Sequence, residues 1–200
     1  IGGYWGLAIW QFKTEWTLNP QYAYGWITAP LAIFLLWRDC EQEPTATVHD
    51  PRPLWVLGTP AVLAMGPLWL IREANPDWRI LNWAFFITTA ILTIAWFLAN
   101  GGLARLRLLG FPLFFFMTAI PWLLAWDLQF AQILQQNVSL IVRDILLLVG
   151  RDAELEGHLI RLATCTVGVD EACSGIRGLQ SSVVVALFLG HFFRLRLISR

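Results

Sequence analysis

The chain has 200 residues, of which 57% are hydrophobic and only 14% are charged. Basic and acidic side chains balance to a formal net charge of +0, so no basic surface suggests nucleic-acid binding. The apolar residues occur in long uncharged runs, which excludes an ordinary soluble domain. The composition predicts an all-α polytopic membrane protein, with residues 1–200 forming a single integral membrane domain.

Uncharged segments long enough to cross a hydrocarbon core of ~30 Å, when their flanks are included, recur along the chain. They predict a bundle of about five complete spanning helices, at 22–37, 54–71, 80–100, 111–126 and 176–193. The apolar run 1–12 before them is too short to span, and a polar link at 11–21 follows it. We therefore expect a partial N-terminal helix and a chain truncated at both ends.

The segment 127–175 differs from the spans. Apolar residues recur at steps of four and three from Phe130 to Leu148, with a polar stripe between them. This pattern predicts an amphipathic helix, lying along an interface or against the bundle and ended by Gly150. Residues 151–157 are interpreted as a charged turn, and the β-branched stretch 159–169 as a short hairpin or strand. We expect an insertion with short strands on the extracytoplasmic side.

Basic residues in short loops predict the orientation. When sides alternate after each span, one side carries its bases in three short segments, around Arg38, at the connector 103–109 and at the basic C-terminal tail. Dense Lys and Arg in short loops mark the cytoplasmic side. We therefore expect a multi-pass protein of the plasma (inner) membrane, with Cys173 on the extracytoplasmic side.

Cys173 stands immediately before the last predicted span. The first amide N–H groups of a helix have no internal acceptors, and the helix dipole is positive there. A thiol at this position tends to have a lowered pKa and to react as the thiolate. Arg177, four residues on, is expected on the same helical face about 6 Å away. A lone cysteine is otherwise more often a small buried residue than a nucleophile.

The other cysteines and the histidines leave alternatives open. Cys165 and Cys173 could form a disulfide in an oxidising compartment, although a free thiol at Cys173 is favoured. His191 is about 27 Å along a helix from Cys173 and cannot serve as its base. His158 is on the same side as the thiol but is more simply a solvated loop residue, and His49 is cytoplasmic. The cysteine spacing indicates no metal site, and no cofactor is expected.

The heptapeptide at 171–177, EACSGIR, resembles the signature of the exosortase/archaeosortase family of membrane cysteine transpeptidases. The stretch 19–26, NPQYAYGW, is similar to another region of that family. It departs where many members have Ser-His-Gly, since Ala23, Tyr24 and Gly25 stand there.

The resemblance implies sortase-like chemistry. The thiolate of Cys173 would attack a carbonyl in the C-terminal sorting signal, PEP-CTERM-like, of an exported protein. The thioacyl intermediate would then be released by an amine or by water. The partners would be exported proteins that carry this signal and the lipid bilayer, with no nucleic acid. The family also uses an Arg and a further His or Arg from later helices, which do not occur before Arg200.

The residues around the cysteine each have two interpretations. Arg177 would stabilise the thiolate, or it anchors at the interface or pairs with Glu171 or Asp170. Ser174 and Gly175 would lend amide groups to an oxyanion site, or Ser174 caps the helix.

Two other classes of function remain open. One is a non-catalytic membrane scaffold in which Cys173 is structural or disulfide-bonded. The other is a transporter, which the uncharged early spans disfavour.

Overall fold

The computed structural model is mainly helical and contains one small antiparallel sheet. It describes residues 1–42, 49–76, 78–157, 159–162, 165–168 and 175–194. The elements in chain order are α1 Gly2–Leu18, α2 Gly25–Gln42, α3 Leu54–Ala74, α4 Arg79–Met117, α5 Leu124–Leu148, β1 Ala153–Glu156, β2 Leu159–Leu162, β3 Thr166–Gly168 and α6 Ile176–Phe192.

Helices α3 and α4 are long and apolar enough to cross a bilayer by length and composition, and α6 is a shorter apolar helix. An all-α membrane fold is therefore supported, whereas the count of five spans stays a prediction. The chain divides into two compact units, Ile1–Pro121 with the chain from Val184 onward, and Trp122–Val183. The second unit includes the segment 127–175 that differs in its sequence pattern.

Helix α1 is longer than its apolar run predicts. The expected polar link at 11–21 is helical over most of its length, so that prediction is wrong. Polar side chains of this stretch have partners within the first unit. Gln11 Nε2 donates to Asn82 Oδ1 at 3.1 Å, and Glu15 pairs with Arg79 at 2.9 Å. Because these partners replace water, the polar residues continue the helix instead of ending it.

Helix α4 is broken where its glycine pair predicts a stop. Gly102 has φ 62° and ψ −157°, a backbone that only glycine adopts readily. The expected connector at 103–109 is nevertheless helical, because the chain returns to helical geometry at once. Gly102 therefore divides α4 into two arms, and Arg105 and Arg107 lie at the start of the second arm.

The second arm of α4 ends at Met117, so the span predicted at 111–126 is wrong in its second half. Pro121 lacks an amide N–H and cannot continue the helical hydrogen bonds. Carbonyl groups of the loop accept bonds from side chains elsewhere in the unit: Trp16 Nε1 to Ala119 O at 2.8 Å, Tyr24 Oη to Thr118 O at 3.0 Å, and Trp83 Nε1 to Pro121 O at 2.9 Å. These bonds stabilise the break between α4 and α5.

The core of the first unit is rich in aromatic side chains. Its largest fully buried side chains include Phe12, Trp16, Tyr22, Phe85 and Phe115. Many rings meet edge to face, a geometry that adds about 0.5–1.5 kcal/mol per pair beyond burial. Large flat side chains therefore supply much of the close packing that holds helices together in an apolar solvent.

Helix α5 confirms the predicted amphipathic helix. It begins at Leu124, three residues before the start of the segment 127–175. On its packed side, Val138 and Leu146 contact Ala153 and Ile160 of the sheet. Other members of the apolar stripe are exposed: Phe130 (50%), Ile141 (59%), Ile145 (53%) and Leu148 (87%). An apolar face that its own unit leaves uncovered fits a helix lying at a membrane interface.

Three short strands follow α5 in the order β1-β2-β3, each pair antiparallel. The strands expected within 159–169 are confirmed, but the charged turn expected at 151–157 is wrong, because most of it is β1. Charged and apolar side chains alternate along β1, which is the period of a strand with one buried face. Glu156 at its end pairs with Arg161 at 2.7 Å, which offsets part of its charge.

Candidate active site

The structure describes two of the five candidate site residues. Gly175 lies immediately before α6, and Arg177 lies in its first turn. Cys173, Ser174 and Glu171 lie outside the described residues, so their predicted roles stay predictions. The start of α6, which follows this segment in the chain, is described.

Gly175 forms the entry to α6. Its φ is 75°, and its carbonyl oxygen accepts the hydrogen bond of Leu179 N at 2.9 Å. A Cβ added at Gly175 would meet no atom within 4 Å. The requirement for glycine here is therefore one of backbone conformation, since a positive φ costs a residue with a Cβ roughly 1–2 kcal/mol.

The first turn of α6 presents hydrogen-bond donors. The amides of Ile176, Arg177 and Gly178 precede the first intrahelical donor, so they have no acceptor within the helix. The positive end of the helix dipole adds to their attraction for an anion. An apolar helix thus begins three residues after Cys173. Such donors can stabilise a thiolate or the oxyanion that forms when a carbonyl is attacked.

Arg177 lies in the first turn of α6. A spacing of four residues brings side chains together only within a helix, and α6 begins at Ile176 after the left-handed Gly175. Cys173 lies outside the described residues, so the expected proximity of Cys173 and Arg177 stays a prediction. Arg177 is exposed and makes no hydrogen bond or ion pair with any residue that the structure describes. Its alternative partners Glu171 and Asp170 lie outside that part of the chain.

Gln180 is a polar residue of α6 that the sequence argument missed. Its side chain is 7% exposed, and neither atom of its amide has a hydrogen-bond partner among the described residues. A buried unpaired amide costs about 1–3 kcal/mol, so its presence needs a reason. The sequence feature that could have pointed to this residue is a glutamine near the start of a mainly apolar helix. An amide can both donate to and accept from a peptide group.

The remaining cysteine and histidine candidates are separate from this turn. Cys165 is exposed and its thiol is free, so no disulfide joins it to Cys173 in this structure. His158 lies outside the described residues. His191 is in the last turn of α6, where Nε2 lies 2.7 Å from Asp39 Oδ2. Because Cys173 lies outside the described residues, the expectation that His191 cannot serve as its base stays a prediction.

The stretch 19–26 forms a turn that packs into the first unit. Asn19 Oδ1 accepts a hydrogen bond from Gln21 N at 3.0 Å, which begins the short helical turn Pro20–Tyr22. Gly25 lies against the Trp16 indole so closely that a Cβ would overlap the ring. The described contacts of this stretch are therefore those of a packing motif.

The sequence argument also missed a polar network on α1. Arg72 Nε donates to Gln11 Oε1 at 2.6 Å, and the Gln11 amide donates to Asn82 and to the carbonyl of Pro76. Because donors and acceptors are matched, the network ties α1 to α3 and α4 and needs no ligand to satisfy it. Within the described residues, no three His, Cys, Asp or Glu side chains are grouped to hold a metal ion.

Comparison with known families gives one match. The family model described as Transmembrane exosortase (Exosortase_EpsH) matches residues 16–200, a stretch that includes both the packing turn at 19–26 and the heptapeptide at 171–177. No curated protein and no solved structure matches the chain.

Proposed function

Because the chain belongs to the transmembrane exosortase family, we propose that it cleaves the C-terminal sorting signals of exported proteins, with Cys173 as nucleophile. The family is one of membrane sorting enzymes of the cysteine peptidase/transpeptidase type. The observation that carries the proposal is the family match, because it covers residues 16–200 and includes the Cys-Ser-Gly sequence.

The proposed reaction proceeds through a thioester. The Cys173 thiolate attacks the carbonyl carbon of the scissile peptide bond, and the negative charge moves to the carbonyl oxygen. The C–N bond then breaks, and the departing amine takes up the proton that the thiol lost on ionising. A second amine attacks the thioester in a transpeptidase, or water does so in a peptidase, and the thiol is restored.

The start of α6 supports this chemistry. The amides of Ile176, Arg177 and Gly178, which have no acceptor within the helix, provide donors for the oxyanion without reorganising the backbone. Gly175, immediately before the helix, has a positive φ of 75°. Arg177, exposed and unpaired among the described residues, supplies a positive charge for the thiolate or for a substrate carboxylate.

We infer that the spans are α2, α3, the two arms of α4, and α6. The second arm of α4 has a length of only about 22 Å, less than a ~30 Å core. The loop after it is buried at Ala119, Ile120 and Pro121, and its carbonyls receive side-chain hydrogen bonds. Irregular backbone is tolerated at membrane depth only when it is buried and hydrogen-bonded in this way.

We further propose that the protein lies in the plasma (inner) membrane with Cys173 on the extracytoplasmic side. The support is the positive-inside rule applied to Arg38, Arg105, Arg107 and Arg194. Labelling with a membrane-impermeant maleimide in intact cells tests the orientation. In a Cys40→Ser, Cys165→Ser background, reduced Cys173 is expected to react, and protection that ends only on lysis would refute the orientation.

Substrate processing tests the enzymatic proposal. The protein is co-expressed with an exported reporter carrying a C-terminal sorting signal, and cleavage is followed by the reporter's change in mass. Cys173→Ala and Cys173→Ser are expected to abolish cleavage, whereas the matched variant Cys165→Ser is expected to retain it. Unchanged processing in both Cys173 variants would favour a non-catalytic scaffold.

A further inference from the structure

A basic pocket lies in the first unit. It has a volume of about 270 Å³. Its lining side chains are Asp39, Arg107, Leu108, Phe111, His191 and Arg194. They come from the last turn of α2, the start of the second arm of α4, and the end of α6. The pocket is therefore built where three helices end or begin, not along their middles.

The acidic side chain of the basic pocket is already compensated. Asp39 Oδ2 lies 2.7 Å from His191 Nε2, and Asp39 Oδ1 lies 3.5 Å from Arg38. Arg38 also donates to the carbonyl oxygens of His191 and Phe192 at 3.2 and 2.9 Å, which ties α2 to the end of α6. Asp39 thus orients its neighbours and leaves the pocket with an excess of positive charge.

Arg107 supplies a guanidinium that the described part of the chain does not satisfy. It is exposed, and no described residue gives it a hydrogen bond or ion pair. Arg194, which also lines the pocket, adds a second guanidinium. Two guanidinium groups facing one small cavity provide planar, charged donors of the kind that bind phosphate oxygens.

A stacked pair of rings forms part of the lining of the basic pocket. The His191 ring stacks on Phe111 with 3.8 Å between ring centroids and 4° between planes. Trp37 and Phe193, near the ends of α2 and α6, are 60% and 62% exposed. Exposed aromatic side chains at helix ends are typical of the level at which lipid headgroups lie. Basic pockets between membrane helices at this level bind anionic headgroups.

We propose that the basic pocket binds a phosphate group, and that this group is the headgroup phosphate of an anionic phospholipid. Arg107 and Arg194 bind its oxygens, and Leu108 and Phe111 contact its glycerol. The inference does not depend on Cys173 being a nucleophile.

Lipid retention tests the proposal. The full chain is reconstituted in nanodiscs of phosphatidylcholine with added phosphatidylglycerol, and retained phosphatidylglycerol is measured by native mass spectrometry. Arg107→Gln and Arg194→Gln are each expected to weaken retention about tenfold, because each removes charge-assisted hydrogen bonds. Arg52→Gln, which removes an exposed arginine outside the pocket, is the matched control and is expected to bind as wild type.

The outcomes of this experiment lead to different conclusions. Equal retention in wild type, R107Q and R194Q would overturn the site, and so would an equal loss in R52Q. Thermal unfolding of each variant without phosphatidylglycerol shows whether it is folded, and Arg107, having no described partner, is expected to be replaceable without loss of stability. If soluble glycerol phosphate displaces phosphatidylglycerol and stabilises the lipid-free protein equally, the phospholipid assignment is refuted and the ligand is a soluble phosphate.

Discussion

Alanine at Gly175, immediately before α6, and alanine at Gly178, in its first turn, should change the free energy of unfolding in opposite directions. Gly175 has φ 75°, so a Cβ there is expected to cost roughly 1–2 kcal/mol. Gly178 lies in the first turn of α6 without a positive φ, and alanine there is expected to stabilise by roughly 0.5–1 kcal/mol. Neither added Cβ meets an atom within 4 Å. The two variants should therefore differ by roughly 1.5–3 kcal/mol through the backbone alone.

Two measurements check this difference. Unfolding of the purified protein in mixed micelles gives the free energy, and cleavage of a signal-bearing reporter gives the activity. Gly175→Ala is expected to lower cleavage by about ten- to a hundredfold, because relaxing the left-handed turn moves the chain that carries Cys173 relative to the helix amides. Gly178→Ala is expected to retain cleavage. The reasoning fails if Gly175→Ala matches wild type in both measurements, or if Gly178→Ala loses as much.

Three further experiments test the packing and polar contacts, each measured by the free energy of unfolding. Gly25→Ala is expected to destabilise by roughly 1–3 kcal/mol by overlapping a buried indole, whereas Gly66→Ala, with open space around it, is not; equal effects would contradict this. Gln180→Leu is expected to stabilise by about 1 kcal/mol or more, and a loss instead would mean that the amide has a partner. Glu15→Gln and Arg79→Gln should be coupled by about 1 kcal/mol in a double-mutant cycle, and strict additivity would refute the ion pair.

The breaks in α4 show which features of the fold can be predicted from the local sequence and which cannot. The break at Gly102 was predictable, because only glycine tolerates that backbone. The helical continuation through 103–109 was not predictable, since arginines in a short apolar chain suggest a loop as readily as a helix end. The end of α4 at Met117 depended on Trp16 and Trp83, which bond to loop carbonyls from distant positions.

For the polar residues, too, local sequence was not enough to predict the structure. Gln11 and Glu15 look like a link between helices when only their neighbours are considered. Their partners Arg72, Asn82 and Arg79 are more than sixty residues away, so the pairing depends on tertiary contacts. Conversely, the amphipathic period of α5 predicted that helix well, because the period depends only on the order of residues within it.

By itself, the amino-acid sequence determined that the chain is a helical membrane protein of the exosortase type, because long uncharged runs and the residues EACSGIR are local properties of the chain. Only the tertiary structure decided that Gly175 enters α6 with a positive φ and that Gln180 is buried without a described partner. It also decided that Arg107, His191 and Arg194 line one pocket. The physical reason is that hydrogen bonding, burial and charge compensation depend on neighbours in space, which the order of residues does not specify.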